Sequence, residues 1–214
     1  MSTVKPVIRE LRQAGVKAAG DLHLRLRQLL DNLDGHFDDV MRQVKDKDKY
    51  DDKVDVSLKK FKKNKNHDST EYNRQYTEQM DTLQKRPLSE WLKNRVEYLD
   101  NGRTPDSLKA QRDARDIAEQ NKLAELLEKH GGDYDKASEE TAKWMKTQAA
   151  THRLDGIAGG DGTDISGVGD TRVNSSLGSQ WKSRVSDIDR AVITFIEDNP
   201  GVDLSSTFIN VVFR

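Results

Sequence analysis

The chain has 214 residues, no cysteine, a net charge of −1, and hydrophobic and charged residues at 34% each. That length allows one domain with an appendage or two small domains, and the polar balance predicts a part that is thinly packed or extended. Disulfides, thiolate metal sites and a cysteine nucleophile are excluded, and the net charge does not announce a nucleic-acid binder.

The amino-terminal stretch MSTVKPVIREL has no apolar signal-peptide core, and no run of about 18 apolar residues occurs. The expectation is synthesis in the cytosol, export without an ordinary cleaved signal and no membrane contact. Apolar or small residues from Val4 through Leu22, Leu26, Leu29 and Phe37 to Val44 recur every 3.6 residues or so, which predicts a helical arm over 4–44. Gly15, Gly20 and Asp34-Gly35 are its weak points, so a hairpin fits as well as one rod. Its apolar face would pack on a partner helix or dock a delivery chaperone or carrier. Composition then changes abruptly. Residues 45–65 hold nine Lys and five Asp, which predicts a charged linker over 45–70. Lys59, Lys60, Lys62, Lys63 and Lys65 surround Phe61 and could touch phosphates; solvated linker is the plainer reading.

Helical patterning returns at Tyr72, Tyr76, Met80 and Leu83 and breaks at Pro87. Ser89 is placed to cap a helix that stops at Asn101-Gly102. Further helices are expected over about 106–129, with Ala110, Ala114, Ile117 and Leu127 inward, over 135–150, and over 179–198. The tail TFINVVFR is the one plausible strand, with no evident partner.

Seven of the fourteen glycines fall within 151–184, THRLDGIAGGDGTDISGVGDTRVNSSLGSQWKSR. A long loop of this kind, carrying Asp, His, Arg, Asn and Trp, reads as an active loop. His152 and Asp155, on one more turn of a helix that is running out, would share a face. An imidazole and a carboxylate so placed suit a metal-ligand pair or a base with its orienting group; helix capping by His152 is the plain alternative. GGDGTDIS matches one copy of a calcium β-roll repeat, but that fold needs stacked copies. A phosphate-gripping glycine loop would need a helix start such as NSSLGSQW, capped by Ser175, Ser176 or Ser179. GxxxxGK[ST], GxGxxG after a strand, HExxH and GxSxG are all absent. Residues 151–214 carry six Lys or Arg against nine Asp or Glu, a net of −3. A phosphodiester handled here needs a divalent cation to offset the carboxylates.

The run THRLDGIAGGDGTDISGVGDTRVNSSLGSQWKSRV closely resembles the core of novel toxin 15, the HxxD family of bacterial polymorphic toxins. The likeness rests on His152 and Asp155 with two spacers, Gly159-Gly160-Asp161, Gly169-Asp170 with Arg172, and Asn174-Ser175-Ser176 through Gly178 to Trp181. It extends upstream to EYNRQYTEQMDTLQKRPLSEWLKNRVEYLDNGR and AQRDAR, covering about 71–205. The resemblance implies a mainly α-helical toxin domain with metal-dependent nuclease activity, neutralised in the producer by an immunity protein. Members include DNase effectors delivered by type VI secretion.

The expectation is therefore a mainly α chain: a helical arm (1–44), a charged linker (45–70) and an HxxD toxin domain with a long glycine-rich active loop (71–214). It would be a Mg²⁺-dependent endodeoxyribonuclease, or one using another divalent cation, acting on DNA in the target-cell cytoplasm. Asp155 is the first metal ligand, with Asp161 or Asp170 as a second. His152 activates water or helps hold the metal. Arg172, Asn174, Ser175 and Ser176 grip phosphate oxygens, and Arg112 and Arg115 neutralise charge. RNA or a nucleotide is the alternative substrate, and a non-enzymatic helical adaptor the alternative role. The immunity protein would present carboxylates to Arg172, Lys182 and Arg184 and plug the 156–178 loop.

Overall fold

The computed structural model describes residues 17–32 and 53–214. The rest of the expected arm and the start of the expected linker lie outside these residues. Residues 17–32 form helix α1. There follow β1 (Lys53–Leu58), α2 (Ser69–Lys85), α3 (Leu88–Asn101), α4 (Pro105–Lys129), α5 (Tyr134–Met145), β2 (Gln148–His152), a 3-10 turn (Gly156–Ala158), β3 (Ile165–Asp170), α6 (Thr171–Trp181), α7 (Val185–Asp198) and β4 (Phe208–Phe213). The domain is mainly α-helical, as the sequence periods predict.

Helices begin where a short polar side chain can satisfy backbone N–H groups that have no partner within the helix. Asp68 accepts from the Glu71 amide at 2.8 Å, Thr104 from Ser107 at 3.2 Å and Asp133 from Lys136 at 3.1 Å. Ser89 does not cap α3; Pro87 precedes the helix, which opens at Leu88. Gly102, at φ 63°, ends α3 as expected.

Several expectations fail. The lysine-rich linker contains β1, whose KVDVSL alternates exposed and buried so that Val54, Val56 and Leu58 all enter the core. Charge density masked a period-2 pattern. The tail strand β4 therefore has a partner: β1 pairs with it in parallel, Lys53 against Phe208 through Leu58 against Phe213. The helix expected over 135–150 stops at Met145 and gives way to β2, which pairs antiparallel with β3. The helix expected over 179–198 is two helices, α6 and α7, and α6 begins eight residues early. On α4, Ile117 is exposed and Leu127 half-buried, while Ser107 and Leu126 are the buried positions.

The main core gathers Trp91 and Leu92 of α3, Ile188, Val192 and Ile193 of α7, the three β1 side chains, Ile209 of β4 and Leu26 of α1. Leu22, Leu29 and Leu30 of α1 pack against it. Inside it, Arg95 and Asp189 form a two-pronged ion pair, Nε to Oδ1 at 2.9 Å and Nη2 to Oδ2 at 2.8 Å, clipping α3 to α7. Among the described residues, no helix is long and apolar enough to cross a membrane.

Residues 1–70 therefore supply part of the core. Each of Leu26, Val54, Val56 and Leu58 contributes about 1.5–3 kcal/mol on burial, a sum comparable to a domain's net stability of about 5–15 kcal/mol. A fragment starting at residue 70 should be unfolded or insoluble, while one starting at residue 17 folds. Circular dichroism and thermal melting of the two fragments check this; a cooperative melt from the shorter one would refute it.

Candidate active site

The stretch read as an unstructured loop is built from β2, the 3-10 turn, β3 and α6. The segment between β2 and β3 is closed at its base by Arg153, whose amide donates to Asp164 O and whose Nε donates to Asp164 Oδ1, both at 3.1 Å. The glycines serve close packing. Trp91 donates its indole N–H to Ala158 O at 2.8 Å, and Gly159 follows at φ 87°. A Cβ on Gly159 would lie 2.4 Å from that indole nitrogen, and one on Gly160 would lie 1.8 Å from Leu154 O. No other residue lets the turn seat this deeply on α3.

His152 ends β2 rather than continuing a helix, and a register break separates it from Thr151. Such bulges re-aim a side chain. Its Nε2 lies 3.1 Å from Gly162 O. A carbonyl only accepts, so Nε2 carries the proton and the neutral ring keeps its lone pair on Nδ1. Burial pushes the His152 imidazole below its ordinary range, outweighing the opposite pull of the Asp155 and Asp164 carboxylates and the Gly162 hydrogen bond; Arg103 adds to the depression.

Asp155 caps the 3-10 turn, Oδ1 accepting from the Ile157 amide at 3.0 Å. Oδ2 lies against α6, where a Cβ on Gly178 would come within 2.8 Å of it. Asp161 Oδ1 accepts from the Thr163 amide at 2.7 Å and its hydroxyl at 2.8 Å. Burial raises the Asp161 pKa, but these bonds, with Arg86 and His152, hold it below the usual carboxylate value.

His152, Asp155, Asp161 and Asn174 line one cavity of about 370 Å³, together with Arg115 of α4. The cavity also gathers residues that the sequence reading passed over: Glu97 and Tyr98 of α3, Arg103 after the Gly102 turn, and Asp106 of α4. The Asn-Gly-Arg-Thr-Pro turn was the available signal for Arg103; Glu97 and Asp106 look like ordinary helix-surface acids. Arg115 also braces the site, donating to the Gln148 and Met145 carbonyls.

The remaining expected residues do not line the cavity. Asp170, not a serine, caps α6, accepting from the Arg172 amide at 2.8 Å and the Val173 amide at 3.1 Å. The helix start expected to grip phosphate is thus already taken. Asp170 also pairs with Arg172 at 3.1 Å, and that hydrogen bond foremost holds its pKa below the ordinary value. Ser175 and Ser176 lie elsewhere on α6, and Arg112 is exposed on α4. Arg184 is 4% exposed, with its guanidinium on the carbonyls of Lys59 and Lys60, so it is not available to a partner's carboxylates.

Among the described residues, no three His, Cys, Asp or Glu side chains are arranged to hold a metal ion. Mg²⁺ does not require such a cage, since it uses one or two carboxylates and keeps waters and substrate oxygens. Asp155 and Asp161 fit that mode: each engages one carboxylate oxygen and leaves Oδ2 without a hydrogen-bond partner among the described residues.

The depressed His152 has a thermodynamic signature. As pH falls through about 6.5 the unfolded chain takes up the proton first, so native stability is lost below that pH and unaffected well above it. Wild type should therefore lose stability relative to His152→Gln between about pH 7.5 and pH 5. Urea denaturation at a series of pH values reads this directly, and parallel pH curves for the two proteins would contradict it.

A family model described as Novel toxin 15 matches residues 66–205. No curated protein matches the chain. The match takes in every side chain of the cavity and well over half of the sequence, so the chain belongs to the novel toxin 15 family of polymorphic toxins.

Proposed function

We propose that the chain is a metal-dependent deoxyribonuclease toxin that hydrolyses DNA phosphodiester bonds in a target cell. The observation that carries this reading is the convergence of a neutral imidazole, two carboxylates with an uncommitted oxygen each, and an amide side chain on one polar cavity. Asp155 and Asp161 would hold the divalent cation, which when bound supplies Lewis-acid polarisation of the phosphoryl oxygen. His152 Nδ1 is the base that takes a proton from the attacking water; burial keeps the ring in the form that can do so. Asn174 and Arg103 bind phosphate oxygens, and Arg115 adds positive charge to the same wall.

An immunity protein in the producing cell would block this cavity. A carrier or chaperone would engage residues 1–44 on surfaces other than the Leu22–Leu26–Leu30 side of α1, which packs on the core.

Plasmid and total RNA incubated with purified protein, in Mg²⁺ or in EDTA, test the proposal. Loss of plasmid in Mg²⁺ alone, with RNA intact, is expected. Degraded RNA with intact plasmid would move the activity to the alternative substrate, and full cleavage in EDTA would remove the metal.

His152→Ala and Asp155→Ala should each lower the cleavage rate by at least about a hundredfold while the melting temperature changes little. Wild-type rates from either variant at equal folded concentration would end the assignment. Gly178→Ala gives a sharper test of geometry. Alanine is favoured over glycine inside a helix by roughly 0.5–1 kcal/mol, yet here its methyl group displaces the Asp155 carboxylate. A folded protein with at least tenfold weaker apparent metal affinity, read as the Mg²⁺ concentration for half-maximal rate, is the expected result. An unchanged metal titration would show that Asp155 Oδ2 has no part in binding the ion.

A further inference from the structure

The cavity has a shortage of positive charge. Its charged lining is Arg103 and Arg115 against four acids, Glu97, Asp106, Asp155 and Asp161. Even with a divalent ion in place, such a site attracts a polyanion weakly, and affinity for duplex DNA rests on Lys and Arg elsewhere. The segment following β1 supplies them.

Residues 59–65 read as a lysine-rich linker, but their backbone is fastened on both sides. Arg184 donates from Nε to Lys59 O at 2.7 Å and from Nη2 to Lys60 O at 2.6 Å. Gln180 of α6 accepts from the Lys62 amide at 2.8 Å and donates to Lys62 O at 3.1 Å. Phe61 inserts between Trp181 and Tyr76, with ring centroids at 4.8 and 5.5 Å, under the Arg184 guanidinium at 4.3 Å. Lys63 is spent locally, donating to Asn64 O and His67 O. Lys59, Lys60, Lys62 and Lys65 are exposed. Elsewhere several surface lysines are paired, Lys85 with Asp81, Lys109 with Asp113 and Lys143 with Glu139, and those without an ion pair among the described residues, such as Lys93, Lys136 and Lys146, are scattered rather than clustered. Among the described residues none of these four has a carboxylate within 4 Å, and no acid occurs between residues 59 and 67. Positive charge is held out on a rigid ledge without a local counter-ion.

The ledge and the cavity flank the same helix. Asn174 and Gly178 of α6 face the cavity side, and Gln180 faces the ledge. At 100° per residue, the exposed Ser175, Ser179 and Lys182 lie on the arc between them. A helix is about 10–12 Å across, a span of roughly three phosphate steps at 3.4 Å each.

We propose that Lys59, Lys60, Lys62 and Lys65, continued by Lys182, bind the sugar-phosphate backbone of DNA and present the strand over α6 to the acidic cavity. The proposal rests on the nuclease reading and assigns it a separate anchoring surface. Because the ledge is already ordered, little conformational entropy is lost when it binds.

The test uses the full chain in a His152→Ala background, in EDTA, with a fluorescent duplex of about 20 base pairs. Anisotropy is measured across a salt series. Replacing Lys59, Lys60, Lys62 and Lys65 by Gln should weaken binding at least tenfold near 0.15 M salt and flatten the slope of log K against log salt by roughly three units. A charge-matched control with Lys129, Lys136, Lys143 and Lys146 changed to Gln should leave both nearly unchanged. Equal losses in the two variants would reduce the effect to net charge, and no loss in the first would remove the ledge from DNA binding; either overturns the proposal. So would loss of binding to phosphatidylserine vesicles with DNA binding intact, which would make the ledge a membrane contact. In the catalytically intact chain, the ledge variant should raise KM and spare kcat. If wild type cuts no DNA with any divalent ion yet binds duplex through these lysines, the nuclease reading fails and the anchoring surface stands.

Discussion

The candidate site depends on how one turn is seated on one tryptophan. Trp91 is fully buried in the core and hands its only polar group to Ala158 O. A buried indole N–H without a partner is costly, so that bond and the packing around it hold the 3-10 turn against α3. Asp155 caps the turn from one end and Gly159-Gly160 leave it at the other, pressed so closely that neither glycine has room for a side chain. His152 and Asp161, on either side, inherit their places from this anchor. The chemistry-bearing residues sit on short irregular segments, but those segments are as fixed as the core beneath them.

A second constraint is electrostatic. Many surface cations of the domain are matched by nearby acids, often one helical turn away. The cavity departs from this balance toward negative charge and the segment after β1 departs toward positive charge. The overall charge of −1 thus averages two opposite local excesses. A cavity lined by carboxylates favours a cation, and an uncompensated lysine surface favours an anion.

The domain is closed by two strands distant in sequence. β1 and β4 lie about 150 residues apart in sequence, and both fall outside the 66–205 family match. Their side chains nonetheless fill one side of the core against α7. The Arg95–Asp189 pair, 6% and 4% exposed at the side chain, then ties that side to α3, the helix carrying Trp91. The cavity and the strand pair are therefore supported by the same two helices.

Local rules in the sequence were enough to place most helices, because period-3.6 patterning and the Gly102 stop act within a few residues of where they are read. They were also enough to single out His152, Asp155, Asp161 and Asn174, which share one run of unusual composition and, in the folded chain, one cavity. What failed had a common cause. β1 was hidden because its alternating valines sit among lysines, and its need for burial becomes visible only beside β4. The α6 start was missed because the serines at 175, 176 and 179 looked like its caps; the hydrogen bonds of Asp170 to two amides put the start earlier. Arg184 looked like a surface cation, and packing on Phe61 made it a clamp. Glu97, Arg103 and Asp106 reach the cavity from a helix junction some fifty residues away. Pairing of distant strands, burial of a charge and convergence of remote side chains are long-range events, so only the tertiary structure decides them.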